Sequence, residues 1–123
     1  MLLWVKKVIR KNTEDKVDNM TLKYFTKKEF SCNCNSCKKK GDTGEYMDID
    51  FLIKLDKARD IAGIPFKINS GYRCPEHNIK VGGIKTSSHT NIPCNAADIS
   101  TIDSVTRFKV LQALLEVGFV RIG

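Results

Sequence analysis

The chain has 123 residues, 41% of them hydrophobic, with 21 Lys and Arg against 14 Asp and Glu for a net charge of +7. That length holds one domain with a modest core and excludes an enzyme with a separate cofactor domain. The apolar fraction excludes a disordered chain, and no run approaches the ~18 apolar residues of a membrane-spanning helix. The charge is uneven: residues 1–40 carry 11 Lys and Arg against 4 Asp and Glu, and residues 41–123 carry 10 of each. A uniformly basic nucleic-acid binder does not have this distribution.

Met1 to Arg10 reads MLLWVKKVIR. The apolar run Leu2–Val5 is too short for a signal-peptide core, and its lysines follow it where a signal peptide's precede it. The expectation is a protein that is cytoplasmic as synthesised. Residues 1–20 are expected to form a basic tail. The alternative is a short amphipathic segment touching an anionic surface. It would have Trp4, Val5, Val8 and Ile9 on one side and Lys6, Lys7, Arg10 and Lys11 on the other. Met20, just before the patterned segment Thr21 to Phe25, is a second candidate start.

Thr26 with Glu29 three residues later predicts a capped helical turn over 26–30. Asp48 is placed to cap a helix over 49–62, with Leu52, Leu55, Ala58 and Ala62 recurring on one face until Gly63 and Pro65 stop it. Phe66 to Ser70 alternates as a half-buried strand does. Pro75 opens a short helix to about Val81, which Gly82-Gly83 ends. Residues 84–95 read as loop, and Ala96–Ile99 as a short strand. Asp103 caps a last helix whose buried face is expected to be Val105, Phe108, Leu111, Leu114 and Leu115. Gly118 ends it, and Phe119 to Ile122 begins a further strand. The domain over residues 21–123 is therefore α+β: a small antiparallel sheet with two main helices and short helical turns.

Five cysteines cannot all pair within one chain, and without a secretion signal reduced thiols are the default. Cys32, Cys34 and Cys37 lie close together in sequence. They suit a structural metal if Cys74 folds back as a fourth ligand. The other possibility is small buried side chains or free thiols.

Chemistry-bearing residues gather between 69 and 98. Arg73 stands just past a strand end at Gly71, and Val81-Gly82-Gly83 allows close backbone approach. His89 lies in the polar loop after Ser87, and nine positions later Asp98 sits between the apolar neighbours of a strand. An Asp there needs a counter-charge or a metal, and a His nitrogen and a carboxylate oxygen both bind zinc.

These motifs occur in a familiar order. Ser70-Gly71-Tyr72-Arg73, Asn78-x-x-Val81-Gly82-Gly83, Ser87-x-His89 and Ala96-x-Asp98-Ile99 together resemble the zinc D-alanyl-D-alanine carboxypeptidases and phage cell-wall endopeptidases. The likeness runs from about Tyr24 to Gly123. It includes Glu29-Phe30-x-Cys32-x-Cys34 and Gly118-Phe119-x-Arg121-Ile122-Gly123. It implies a Hedgehog/DD-peptidase-like architecture, Zn2+ as cofactor and a peptidoglycan peptide as substrate. It also implies His89 and Asp98 as zinc ligands, Arg73 as the cation near the scissile carbonyl or a substrate carboxylate, and Ser87 as a nearby polar group. The basic N-terminal third would then meet anionic cell-wall polymers.

Two departures from the family pattern stand out. Eight residues, Thr90 to Ala97, separate His89 from Asp98 where the family usually has six, with Ile92-Pro93-Cys94 inserted. The family's third ligand, a histidine, and its acidic general base lie on a strand after the segment matching Gly118–Gly123, so this chain has neither. The expectation is a domain without its final strand, truncated or interrupted. His77 and Cys94 are the alternative ligands and Glu76 the alternative base. Two other readings compete. One is a non-catalytic wall-binding module of the same fold; the other is a cysteine-cluster zinc module binding nucleic acid through Lys38–Lys40. The second lacks the aromatic–basic interleaving of a nucleic-acid platform.

Overall fold

The computed structural model describes residues 2–6, 22–40 and 42–123. Among the described residues, four strands form one sheet: β1 (Leu2–Lys6), β2 (Lys67–Ser70), β3 (Ala96–Ser100) and β4 (Arg121–Ile122). The described residues also form the helices α1 (Asn35–Lys40), α2 (Ile49–Ala62), α3 (Pro75–Lys80) and α4 (Ser104–Glu116), with 3-10 turns at Lys27–Phe30, Thr43–Tyr46 and Ser88–Thr90. The sheet order is β2-β3-β1-β4, and every pairing is antiparallel. The α+β expectation and its small antiparallel sheet are what the chain forms.

Local chemistry explains the element ends. Asp48 accepts the backbone N–H of Asp50 at 3.2 Å, and Gly63 closes α2 at φ +68, which a residue with a Cβ rarely adopts. Glu29 accepts the N–H of Thr26 at 2.7 Å, and Asp103 that of Thr106 at 2.7 Å. Phe30, Phe51 and Phe66 are fully or almost fully buried, each contributing about 1.5–3 kcal/mol of transfer free energy. Their core is shared by Leu3, Val5, Ala97 and Ile99 of the sheet and by Leu52, Leu55, Val110 and Leu114 of the helices.

Two expectations are corrected. Leu2–Lys6 is neither tail nor amphipathic segment; it is an inner strand, pairing Leu2–Lys6 with Ser100–Ala96 and Val5–Lys6 with Ile122–Arg121. Leu3 and Val5 are buried while Trp4 between them faces the other way, the period of a strand with one face on a core. Val8, Ile9, Lys7, Arg10, Lys11 and Met20 lie outside the described residues. The second correction concerns α4. Val105, Phe108 and Leu115 are 65%, 62% and 55% exposed, whereas Leu114 is buried as expected, beside Val110 and Ala113, and Leu111 is partly buried against the core. Stripes offset by one or two residues fit the helical period equally well here. Ala113 in the buried one lets the helix come close to α2, where Ala58 is likewise buried.

Among the described residues, no helix is long and apolar enough to cross a membrane.

Candidate functional site

The sheet alternation that buries Leu3 and Ile99 sends the intervening side chains to the opposite face. There Trp4, Lys6, Arg73, His89, Asp98 and Arg121 surround a cavity of about 490 Å³, with Ser87 at its edge. Trp4 is opposite Asp98 in the β1–β3 ladder, Ser70 is opposite it in β2, and a register shift falls between Ile68 and Ser70. Such an irregularity re-aims a side chain. The Ser70 hydroxyl accordingly donates to Asp98 Oδ2 at 2.8 Å.

His89 is held from two sides. Its Nδ1 lies 2.7 Å from the Gly71 carbonyl oxygen, which places the proton on Nδ1 and leaves Nε2 with a free lone pair in the neutral ring. Its backbone N–H donates to Ser87 Oγ at 3.2 Å. Nε2 faces Asp98 Oδ1 at 3.5 Å. Two ligand atoms on a tetrahedral zinc, each bonded at about 2.1 Å, stand about 3.4 Å apart. The spacing and the donor set therefore fit a zinc ion held between His89 and Asp98. Burial pushes the Asp98 carboxyl up. The hydrogen bond and charge of His89, the Ser70 hydroxyl and the charge of Arg73 outweigh it, so the group lies below its ordinary value.

Arg73 follows Gly71 and Tyr72 out of β2, and its backbone N–H donates to the His89 carbonyl at 2.8 Å. Its guanidinium lines the cavity, and its Nε is buried without a hydrogen-bond partner among the described residues. Gly71 has to be glycine: a Cβ would stand 2.6 Å from that of Phe30.

The Asn78 and Val81-Gly82-Gly83 motif is one device. Asn78 Nδ2 donates to the Ile84 carbonyl at 2.7 Å, and the Gly83 N–H donates to the Asn78 carbonyl at 2.8 Å. A Cβ on Gly83 would fall 2.2 Å from Asn78 Oδ1. The loop so pinned forms the cavity wall at Gly83, Ile84 and Thr86.

The alternative ligands do not reach the cavity. Cys94 is fully buried, its thiol pushed up to about 11 by burial, and its sulfur lies 3.6–3.7 Å from the carbonyl oxygens of Ser88, His89 and Ala96. The inserted segment is itself anchored, since Cys94 N–H donates to Tyr46 O and Asp48 N–H to Cys94 O, both at 2.7 Å. Glu76 and His77 sit on α3 and do not line the cavity, and the His77 backbone N–H is turned to Cys74 Sγ. Among the described residues lining the cavity, His89 and Asp98 are the side chains of metal-ligand type.

A second group lies apart from the cavity. The sulfurs of Cys32, Cys34, Cys37 and Cys74 all fall within 4.8 Å of one another. The Cys37 backbone N–H holds the Cys34 thiol down at about 7, and burial raises that of Cys37.

Trp4, Lys6, Arg121 and Ser70 were not singled out from sequence as site residues. Ser70 had a signal, as the residue before Gly71 in the strand-end motif. For Trp4 and Lys6 there was none, because only pairing with a strand some 90 residues away puts them at the site.

No curated protein and no solved structure matches the chain. The model of one family, peptidase M15, matches residues 23–123, which include β2–β4, all four helices and every cavity residue except Trp4 and Lys6. The chain therefore belongs to the peptidase M15 family, a family of metallopeptidases.

Proposed function

We infer that the cavity between β1, β3 and the Ser87–His89 turn is a zinc peptidase site for peptidoglycan. It would take stem peptides or cross-links and hydrolyse an amide bond next to a D-amino acid, within a Hedgehog/DD-peptidase-like architecture. The observation that carries this reading is the 3.5 Å juxtaposition of His89 Nε2 and Asp98 Oδ1, with Nδ1 anchored on Gly71.

Zinc bound by this pair supplies Lewis acidity at an amide carbonyl and makes a nearby water more acidic. The chain's own residues then have definite tasks. The Gly71 carbonyl keeps the imidazole in one tautomer and orientation. Arg73, whose guanidinium lines the cavity, offers its positive charge to the oxygen on which charge develops, or to a substrate carboxylate. Ser87 shapes the turn by accepting the His89 N–H. Lys6 and Arg121 support the reading from another direction. They are cross-strand partners of like charge lining the same cavity, an arrangement that is unfavourable until an anion lies between them. A peptide ending in a free carboxylate is such an anion. Anionic wall polymers would meet the basic N-terminal third.

A second reading, a wall-binding module without catalysis, is favoured by one observation: Trp4 occupies the register position opposite Asp98. An aromatic ring there suits packing on a bound ligand and supplies neither a metal ligand nor a base.

Purified cell walls separate the two readings. The zinc-loaded chain should release new amino termini from peptidoglycan, detected by mass spectrometry, and His89→Ala should release none. Zinc-dependent binding to walls without any cleavage would establish the second reading instead.

A further inference from the structure

Away from the cavity, four of the five cysteines converge from three elements. Cys32 and Cys34 lie in the turn after the Lys27–Phe30 helix, Cys37 is on α1, and Cys74 caps the N-terminus of α3. All four are free thiols. The sulfurs of Cys32 and Cys34 are 3.6 Å apart and those of Cys34 and Cys74 3.5 Å, with every pair inside 4.8 Å. A disulfide needs about 2.05 Å. Four sulfurs around one ion at about 2.3 Å stand about 3.8 Å apart, close to what is observed.

The surroundings are arranged for charge on sulfur. Three backbone N–H groups point at the cluster: Cys37 to Cys34 Sγ at 3.4 Å, Cys74 to Cys32 Sγ at 3.5 Å, and His77 to Cys74 Sγ at 3.4 Å. Thiols are weak partners for one another, so four of them meeting half-buried do little for the fold as neutral groups. Thiolates receiving N–H donors are what a metal centre requires. Cys32 and Cys37 are buried, and Cys34 and Cys74 partly so. Four protein sulfurs would fill a tetrahedral zinc and leave no open position, which is the form of a structural site.

We propose that Cys32, Cys34, Cys37 and Cys74 form a tetrathiolate site for a structural zinc ion that ties residues 32–37 to the head of α3. The ion replaces the protons still on the thiols, so binding releases protons to solvent and weakens as the pH falls. The site also braces the cavity. Cys74 directly follows Arg73, whose N–H holds the His89 carbonyl, so the ion fixes the chain at the next residue. The proposal does not depend on the peptidase reading, because none of its ligands lines the cavity.

The test uses the full chain carrying His89→Ala and Asp98→Ala, so that the cavity cannot contribute a metal. Loaded with zinc, it should bind one ion per chain, and X-ray absorption should show a single shell of four sulfurs at about 2.3 Å. Cobalt in its place should give sulfur-to-metal charge-transfer absorption that zinc bleaches and that Cys34→Ser removes. Since Cys34→Ser could fail to fold, alkylation is measured on the chain with all cysteines intact. Zinc should protect the four cluster thiols, and a chelator should expose them. Nitrogen or oxygen scatterers in place of sulfur, thiols alkylated equally with and without zinc, or a mass two hydrogens low from a cluster disulfide would each overturn the proposal.

Discussion

Trp4 and Asp98 are direct partners across the β1–β3 ladder, and both line the cavity that His89 enters. On the β1 side, the residue in register with the carboxylate ligand candidate is therefore a tryptophan, held on β4 by backbone bonds to Gly123 of 3.3 and 3.0 Å. Trp4→His would put an imidazole on the Asp98 side of the sheet as a third ligand. Zinc affinity at the cavity, measured by competition with a chromophoric chelator in a chain lacking Cys34, should rise by about tenfold, roughly 1.4 kcal/mol. Unchanged affinity would mean that Trp4 does not face the metal position.

Gly71 serves the site twice, through its carbonyl and through its missing side chain. Gly71→Ala forces a Cβ into Phe30, where overpacking costs about 1–3 kcal/mol. A urea titration should show that loss together with weaker zinc binding at His89, because the carbonyl that orients the ring must move. Stability lost without any change in zinc binding would separate the two roles.

Asn78 is buried and holds the Val81–Ile84 turn through its side-chain and backbone bonds. Asn78→Ala leaves the Ile84 carbonyl without that donor and should destabilise the fold by about 1–3 kcal/mol. Hydrogen exchange at residues 82–87 should accelerate before the rest of the chain responds.

Acid stability should depend on Asp42. The Ser31 hydroxyl donates to its carboxylate, as does the Gly44 N–H at 2.8 Å, and these bonds hold the group below its ordinary value against a smaller opposing effect of burial. A carboxyl depressed on folding stabilises above its unfolded value of about 3.9 and loses that contribution as pH falls through its folded value. Asp42→Asn should therefore be less stable than the parent at pH 7, and the gap should narrow as the pH falls below the ordinary carboxylate value of about 3.9. A gap that is constant with pH would show that the carboxylate's charge is immaterial.

How far the sequence could be read follows from how local each signal is. The ends of α2 were legible because Asp48 and Gly63 act within one turn of themselves. The sheet's central strand β3 was legible as Ala96–Ile99 by its short apolar run. The neighbourhood of Cys74 and the 32–37 cluster was legible only as an alternative, since it rests on a contact across some forty residues. The segment of β1 reads as a tail because Leu2–Lys6 is an ordinary short apolar stretch until Ser100–Ala96 pairs with it. The full buried face of α4 does not follow from its period, because Val105 and Phe108 fit that period and are nevertheless exposed. The bond from His89 to the Gly71 carbonyl had no sequence signature at all, because any residue carries that oxygen.

The claim on which the functional reading stands is that His89 and Asp98 share a metal. Anomalous diffraction from zinc-loaded crystals, recorded on both sides of the zinc edge, tests it without relying on activity. The account predicts a peak within about 2.0–2.2 Å of both His89 Nε2 and an Asp98 carboxylate oxygen, separate from any peak among the cysteines. Density confined to the cysteine cluster, with the His89 imidazole hydrogen-bonded to Asp98 and no ion between them, would contradict it.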